Sequence, residues 1–274
     1  MNYKQQILSV ENPTLHGIQI PGKRGRLFSA LYTAGGKGIH PVVLLLHGIP
    51  GNEQNLDLAQ TLRSNGFNVL TFHYSGCFGS DGDYALSHNI EDANTVLDFI
   101  LQDELYGFDK GKIYAIGHSM GGFTAAHLAA KRSEIKAAAL LMPCNAGRIF
   151  EIEKENAEAA DTLKSILFHS ADWLNGVNFE KFMRELADNK SSFPIENLAV
   201  NLHSKPVFLI EASNDCHTPP KYHSKPFKDA ILKFKNNKLK VLNLATDHFA
   251  SDCRSVLCAE IASYFGSLSE GKIC

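Results

Sequence analysis

Ser119, Asp215 and His248 stand far apart in the chain, yet in type and order they match what nucleophilic acyl chemistry requires. A serine hydroxyl attacks poorly at neutral pH unless a histidine takes its proton and a carboxylate fixes that histidine's tautomer. Ser119 lies in Gly117-His118-Ser119-Met120-Gly121-Gly122, between the apolar run 113–116 and an alanine-rich helical stretch. A strand that turns into a helix at such a serine is a nucleophile elbow, because small neighbours let the turn tighten and leave the hydroxyl exposed. His248 follows the run 241–244 and precedes the last helical pattern, so it is expected at a strand end as general base and then acid. Asp215 comes just after the run 207–210 and suits the orienting carboxylate. Glu211 still belongs to the strand pattern and is a distant second choice, and Asp247, adjacent to the histidine, is expected to point elsewhere.

Attack on a carbonyl also needs N–H donors for the oxyanion. The amide of Met120, directly after the serine, is one candidate. The other is the amide of Ile49 in His47-Gly48-Ile49-Pro50-Gly51, which follows the run 42–46; Gly48 is expected to supply the unusual backbone angles that turn this amide inward.

These residues must be positioned by a sheet. Apolar runs at 42–46, 69–72, 113–116, 137–142, 207–210 and 241–244 alternate with helical patterns at 56–64, 90–101, 120–131, 222–234 and 251–265. Continuous Val/Ile/Leu runs separated by helices describe strands buried on both faces of a mostly parallel sheet, so the fold class is α/β. Ahead of them, 6–20 and 26–33 read as a short antiparallel pair. In such sheets ligands bind beyond the carboxyl ends of the strands, where the candidate residues fall. The stretch 144–203 breaks the alternation and is expected to be a helical cap, with helices at 149–168 and 178–189, inserted in a core made of 1–143 and 204–274. Trp173, at the turn between those helices, is expected to line the substrate pocket.

Composition narrows the function. The 274 residues are 44% hydrophobic and carry a formal net charge of -2, which gives no electrostatic reason to expect nucleic acid or an anionic membrane as partner. Lys233, Lys235, Lys238 and Lys240 cluster, and read as a solvated helix end and strand edge. The first residues lack a signal peptide's apolar stretch and no run reaches the roughly 20 residues that span a bilayer, so a cytoplasmic protein is expected. Cys77, Cys144, Cys216, Cys253, Cys258 and Cys274 show no C-x-x-C spacing and read as free thiols. His169, His217 and His223 lack the i, i+4 pairing of helical zinc sites and read as polar lining, and His118 as a packed residue within the elbow. No metal and no cofactor is expected.

On His47-Gly-Ile-Pro-Gly51, the loop Phe72-His-Tyr-Ser-Gly-Cys-Phe-Gly-Ser-Asp-Gly82, the elbow, Asp215 and Asp247-His248, the chain resembles the α/β-hydrolases over roughly residues 25–265, in the style of small esterases and acylaminoacyl-peptidase-like serine hydrolases. The resemblance implies an eight-stranded sheet with antiparallel first strands, a Ser119, Asp215, His248 triad, an oxyanion hole from Ile49 and Met120, and a cap after the sixth strand. It departs from many relatives at Ser75, where they carry arginine. The expected reaction is hydrolysis of small-molecule carboxylic esters through an acyl-enzyme. Thioesters are a further substrate class. An aminopeptidase, capturing the substrate's amine with Glu151, Glu153, Glu155, Glu158 or Asp161 of the cap, is the alternative, and a binding protein with a retired site is a third reading.

Overall fold

Alternation along the strands explains the layers. In β3 (His40–Leu46) Val42, Leu44 and Leu46 join one apolar cluster, while Val43 and Leu45 join another on the opposite face, and all five are buried. A strand buried on both faces cannot afford polar residues on either, which is why the run is continuous. The structure, a computed structural model, describes residues 12–271. Residues 6–11 of the expected first segment and Cys274 lie outside them.

Eight strands form one sheet in the order β1-β2-β4-β3-β5-β6-β7-β8. β1 (Thr14–Gly22) and β2 (Gly25–Thr33) make an antiparallel hairpin, and β2 pairs antiparallel with β4 (Asn68–Phe72). From β4 onward β3, β5 (Phe108–His118), β6 (Ile135–Leu141), β7 (Val207–Ala212) and β8 (Leu239–Leu244) are parallel. Helices α1 (Leu56–Ser64) and α9 (Arg254–Ser269) cover one face through Leu58, Leu62, Ile261 and Phe265. Helices α2 (Leu86–Gln102), α3 (Met120–Lys131) and α8 (Ser224–Ile231) cover the other through Val96, Phe123 and Phe227. Fully burying each such side chain is worth about 1.5–3 kcal/mol, so both covers are strongly held.

The segment between β6 and β7 is helical. The single helix expected at 149–168 is instead two, α4 (Ile149–Glu155) and α5 (Ala157–Ala171). Asn156 breaks them apart: its backbone is extended, and its side-chain oxygen accepts from the Ala159 N–H at 3.2 Å, so it caps α5 in place of continuing α4. Helix α6 (Phe179–Asp188) follows, capped by Asn178, and the short α7 (Ala199–Leu202) leads into β7. Leu163, Leu167, Phe182 and Leu186 of α5 and α6 belong to the same apolar cluster as α2 and α3.

Buried histidines tie these layers together as neutral groups. His127 of α3 donates to the Phe193 carbonyl, and the Asn145 N–H donates to His223 Nδ1, so that ring nitrogen carries no proton. His47 and His223 each have a buried Nε2 without a partner, where an imidazolium would need two acceptors. Burial lowers the pKa of His47 and His118 to about 3 and that of His127 and His223 to about 4. The unfolded chain therefore takes up protons at these four below pH 6.5 that the fold refuses, and stability falls with acidification by up to about 1.4 kcal/mol per pH unit for each. We predict a Tm that drops by several degrees between pH 7 and pH 5, read by circular dichroism; a flat Tm across that window would show that these rings are protonated in the fold.

Candidate active site

The elbow is built by contacts that exclude side chains. At Ser119 the backbone turns to φ 56° and ψ -120°, an unfavourable conformation for a residue with a Cβ. It is held from both sides: the Ser119 N–H donates to the Leu141 carbonyl at 2.9 Å, and the Ser119 carbonyl accepts from Gly122 and Cys144 at 2.9 Å. A Cβ on Gly121 would stand 2.0 Å from the Leu46 carbonyl oxygen, and one on Gly117 would stand 2.0 Å from the Gly121 carbonyl oxygen. Glycine at these positions is thus what lets β3, β5 and α3 close around the serine. Among the described residues the Ser119 hydroxyl has no hydrogen-bond partner, and it faces a cavity of about 550 Å³.

Asp215 sits in the turn after β7 and is only 5% exposed. Its Oδ1 accepts from the His217 and Thr218 N–H groups, both at 2.8 Å, and its Oδ2 accepts from His248 Nδ1 at 2.7 Å and lies 2.9 Å from the Thr218 hydroxyl. Burial works against ionising this carboxyl, but the hydrogen bonds from His248 and Thr218 overcome it and hold its pKa below the ordinary carboxylate value. An ionised acceptor at Nδ1 keeps the His248 proton there, which leaves Nε2 with a free lone pair. Behind His248, the His118 Nε2–H donates to the His248 carbonyl at 2.8 Å, with the two rings 4.8 Å apart. Glu211 is elsewhere, taken up by Ser224 at 2.5 Å and Lys228 at 2.6 Å, and Asp247 caps its own turn by accepting from Phe249 and Ser251.

The loop after β3 lies against the elbow. A Cβ on Gly48 would stand 3.1 Å from the Ser119 Cβ. The expectation that Gly48 supplies an unusual backbone angle is corrected here: it is not among the positive-φ residues, and the demand at this position is close approach, while Gly51 takes φ 120°. His47 Nδ1–H donates to the Gly48 carbonyl at 2.6 Å. In a trans peptide the N–H points opposite to the carbonyl, so a carbonyl drawn toward His47 turns the Ile49 N–H the other way. Neither the Ile49 nor the Met120 N–H donates to a described residue.

Ser119, His248, Ile49 and Trp173 all line the cavity, together with Phe78, Phe249, Ile166, His118, His169 and His217. Met120 is buried at the start of α3, and Asp215 lies behind His248, outside the lining. Of the three histidines read as lining, His223 does not reach the cavity; it is buried under Asn145. Ser75 is also away from the cavity, its N–H donating to Asp92. Thr218 was missed by sequence reasoning, although its place three residues after Asp215 is the spacing at which a carboxylate closes a turn on the backbone ahead of it.

The model of the alpha/beta hydrolase fold family matches residues 41–184. In sequence the chain is 33% identical, over 112 residues, to acylamino-acid-releasing enzyme 2 of Oryza sativa subsp. japonica, in an alignment covering 37% of this chain and 14% of that one. The chain thus spans only a small part of the length of this relative. In structure it is similar to Est1E from Butyrivibrio proteoclasticus (TM-score 0.66, 19% identity, 90% of this chain and 96% of that one). It is likewise similar to an esterase of Pyrococcus furiosus (TM-score 0.66, 19% identity, 93% and 90%) and to an acylaminoacyl peptidase of Pyrococcus horikoshii (TM-score 0.67, 15% identity, 96% and 42%). At such identities the likeness establishes the fold, and with over half of its length matched by the family model and the eight strands in place, the chain belongs to the alpha/beta hydrolase fold family.

Proposed function

We propose that the protein is a serine hydrolase that cleaves carboxylic esters of small to medium acyl groups through an acyl-enzyme. The observation that carries this reading is the 2.7 Å hydrogen bond from His248 Nδ1 to a buried, ionised Asp215 behind it, with the His248 ring lining the same cavity as Ser119. His248 Nε2 takes the Ser119 proton as the hydroxyl attacks the acyl carbon, then gives it to the leaving alkoxide. Water, deprotonated by the same Nε2, releases the acid and regenerates the serine. The Ile49 and Met120 amides hold the oxyanion in both tetrahedral intermediates. Trp173, Phe78, Phe249 and Ile166 give the cavity the apolar walls on which an acyl group would rest. The five described cysteines are unpaired, which suits the cytoplasm.

Amide hydrolysis is the second reading, favoured by the similarity to acylaminoacyl peptidases; an aminopeptidase would in addition need a carboxylate to capture the substrate's free amine. The cap acids do not serve it. Glu153 and Asp161 pair with Lys164, Glu155 pairs with Arg148, and none of the five lines the cavity. Glu53 is the one carboxylate among the described lining residues, and it belongs to the loop after β3. A site retired to binding would have no use for the serine, the base and the acid together.

Initial rates on p-nitrophenyl esters of increasing acyl length, beside aminoacyl p-nitroanilides, test the reading. Esters should turn over, Ser119→Ala should lower kcat at least about a thousandfold, and Asp215→Asn should lower it by on the order of 10³–10⁴-fold through the wrong tautomer. Preference for the anilides, lost in Glu53→Gln, would move the assignment to amide hydrolysis. His47→Ala frees the Gly48 carbonyl and should cost kcat on the order of 10²-fold with KM little changed, as loss of one oxyanion donor does. A KM effect alone would show that His47 does not orient the Ile49 amide.

A further inference from the structure

Asp215 and His248 form a cluster with His217 in which one donor atom from each residue lies within 4.8 Å of the other two. The His217 ring stacks on His248, with centroids 4.9 Å apart and planes 28° apart. On its outer side His217 Nδ1 lies 3.6 Å from the thiol of the exposed Cys216. Asp215 and His248 are buried while His217 is half-buried, and both histidines line the cavity, so the cluster opens on the cavity side through its two imidazoles. A carboxylate with two imidazoles is a donor set that suits zinc and its neighbours in the transition series.

We propose that Asp215, His217 and His248 form an inhibitory site for a divalent transition metal, with zinc the best fit. Bond lengths near 2.0–2.1 Å place the donors of a tetrahedral zinc ion roughly 3.3 Å apart. Asp215 Oδ2 and His248 Nδ1, 2.7 Å apart, are already close to that spacing, so the ion parts them slightly, and the half-buried His217 ring turns from its stack on His248 to aim an in-plane lone pair at it. It replaces the proton between them. The neutral imidazole keeps its single proton, which passes through solvent from Nδ1 to Nε2, while the Nδ1 lone pair makes the bond to the metal. No electron is transferred and no proton is lost overall. The Nε2 lone pair that would accept the Ser119 proton is then occupied, and attack stops. Inhibition rests on the triad reading given above; binding of the ion does not.

Two measurements separate these. Zinc is titrated calorimetrically into metal-free Ser119→Ala protein and into the same protein carrying His217→Ala, His217→Gln or His248→Gln, each checked for folding by circular dichroism. One site should be found, weakened at least tenfold by each change. Zinc should also inhibit ester hydrolysis by the unmodified protein, reversibly with EDTA, and His217→Gln should need at least tenfold more zinc for half-inhibition relative to its own zinc-free rate. Affinity unchanged in the His217 variants overturns the proposal, as does affinity kept in His248→Gln, which would place the ion on Cys216 and His217 alone. If no ester is turned over but binding depends on His217 and His248, the ester-hydrolase reading falls and the metal site stands.

Discussion

A carboxylate that is 5% exposed and ionised would destabilise the fold without its partners, and Asp215 finds three of them within its own turn and the fourth in His248. Two backbone N–H groups and the Thr218 hydroxyl set the carboxylate's orientation independently of His248, so the imidazole faces an acceptor held by its own turn. The Thr218 hydroxyl also lies 3.0 Å from the Met142 carbonyl at the end of β6. The acid is thereby tied to the neighbouring strand end as well as to its own. On the far side, His118, the residue before Ser119, ties the backbone of His248 to the elbow. The position of His248 is thus defined from Asp215 and from the elbow, two loops that come from separate strands.

Strain at Ser119 is tolerated because the surroundings leave no alternative. A non-glycine residue at φ 56° and ψ -120° costs of order 1–3 kcal/mol. Against that stand hydrogen bonds from both of its backbone polar groups and three elements packed too closely for a Cβ at Gly117 or Gly121. Relaxing the serine would require moving Leu46 of β3 and the start of α3, and Leu46 and Met120 are both within the main apolar cluster. The cost of local strain is carried by the burial of the sheet.

Much of this was legible in the sequence because its signals are local. The apolar runs are continuous where strands are buried on both faces, and each candidate residue falls within a few positions of a run's end; 42–46 and 207–210 lie inside β3 and β7. Helices α1 and α3 match the expected 56–64 and 120–131 because their apolar periodicity is bounded by turn residues. The sequence did not reveal partners supplied from a distance. The break at Asn156 depends on its side chain competing for the α5 N-terminus, while its amide reaches the Tyr222 hydroxyl 66 positions away. The role of Gly48 was misjudged for a related reason: a glycine needed for a backbone angle and one needed for a close approach look alike until the neighbouring loop is in place.

The helices between β6 and β7 show how a segment outside the sheet becomes part of the cavity. Glu185 of α6 accepts from the Leu86 and Ser87 N–H groups at 2.9 and 2.8 Å, so it caps the N-terminus of α2 from another element. The Asn175 N–H donates to the Gly76 carbonyl, its own carbonyl accepts from Tyr84, and its side-chain amide donates to the Gly82 carbonyl. Trp173 stands two residues before that junction, and Phe78 lies within the loop to which it is bound. Two aromatic walls of the cavity are therefore positioned by one set of backbone hydrogen bonds. Ser119, His248 and Asp215 hang on the strand ends and do not depend on those bonds. The division places Ser119, Asp215 and His248 at the strand ends of the sheet and the aromatic walls on loops, so the shape of the cavity can change without disturbing the arrangement of those three side chains.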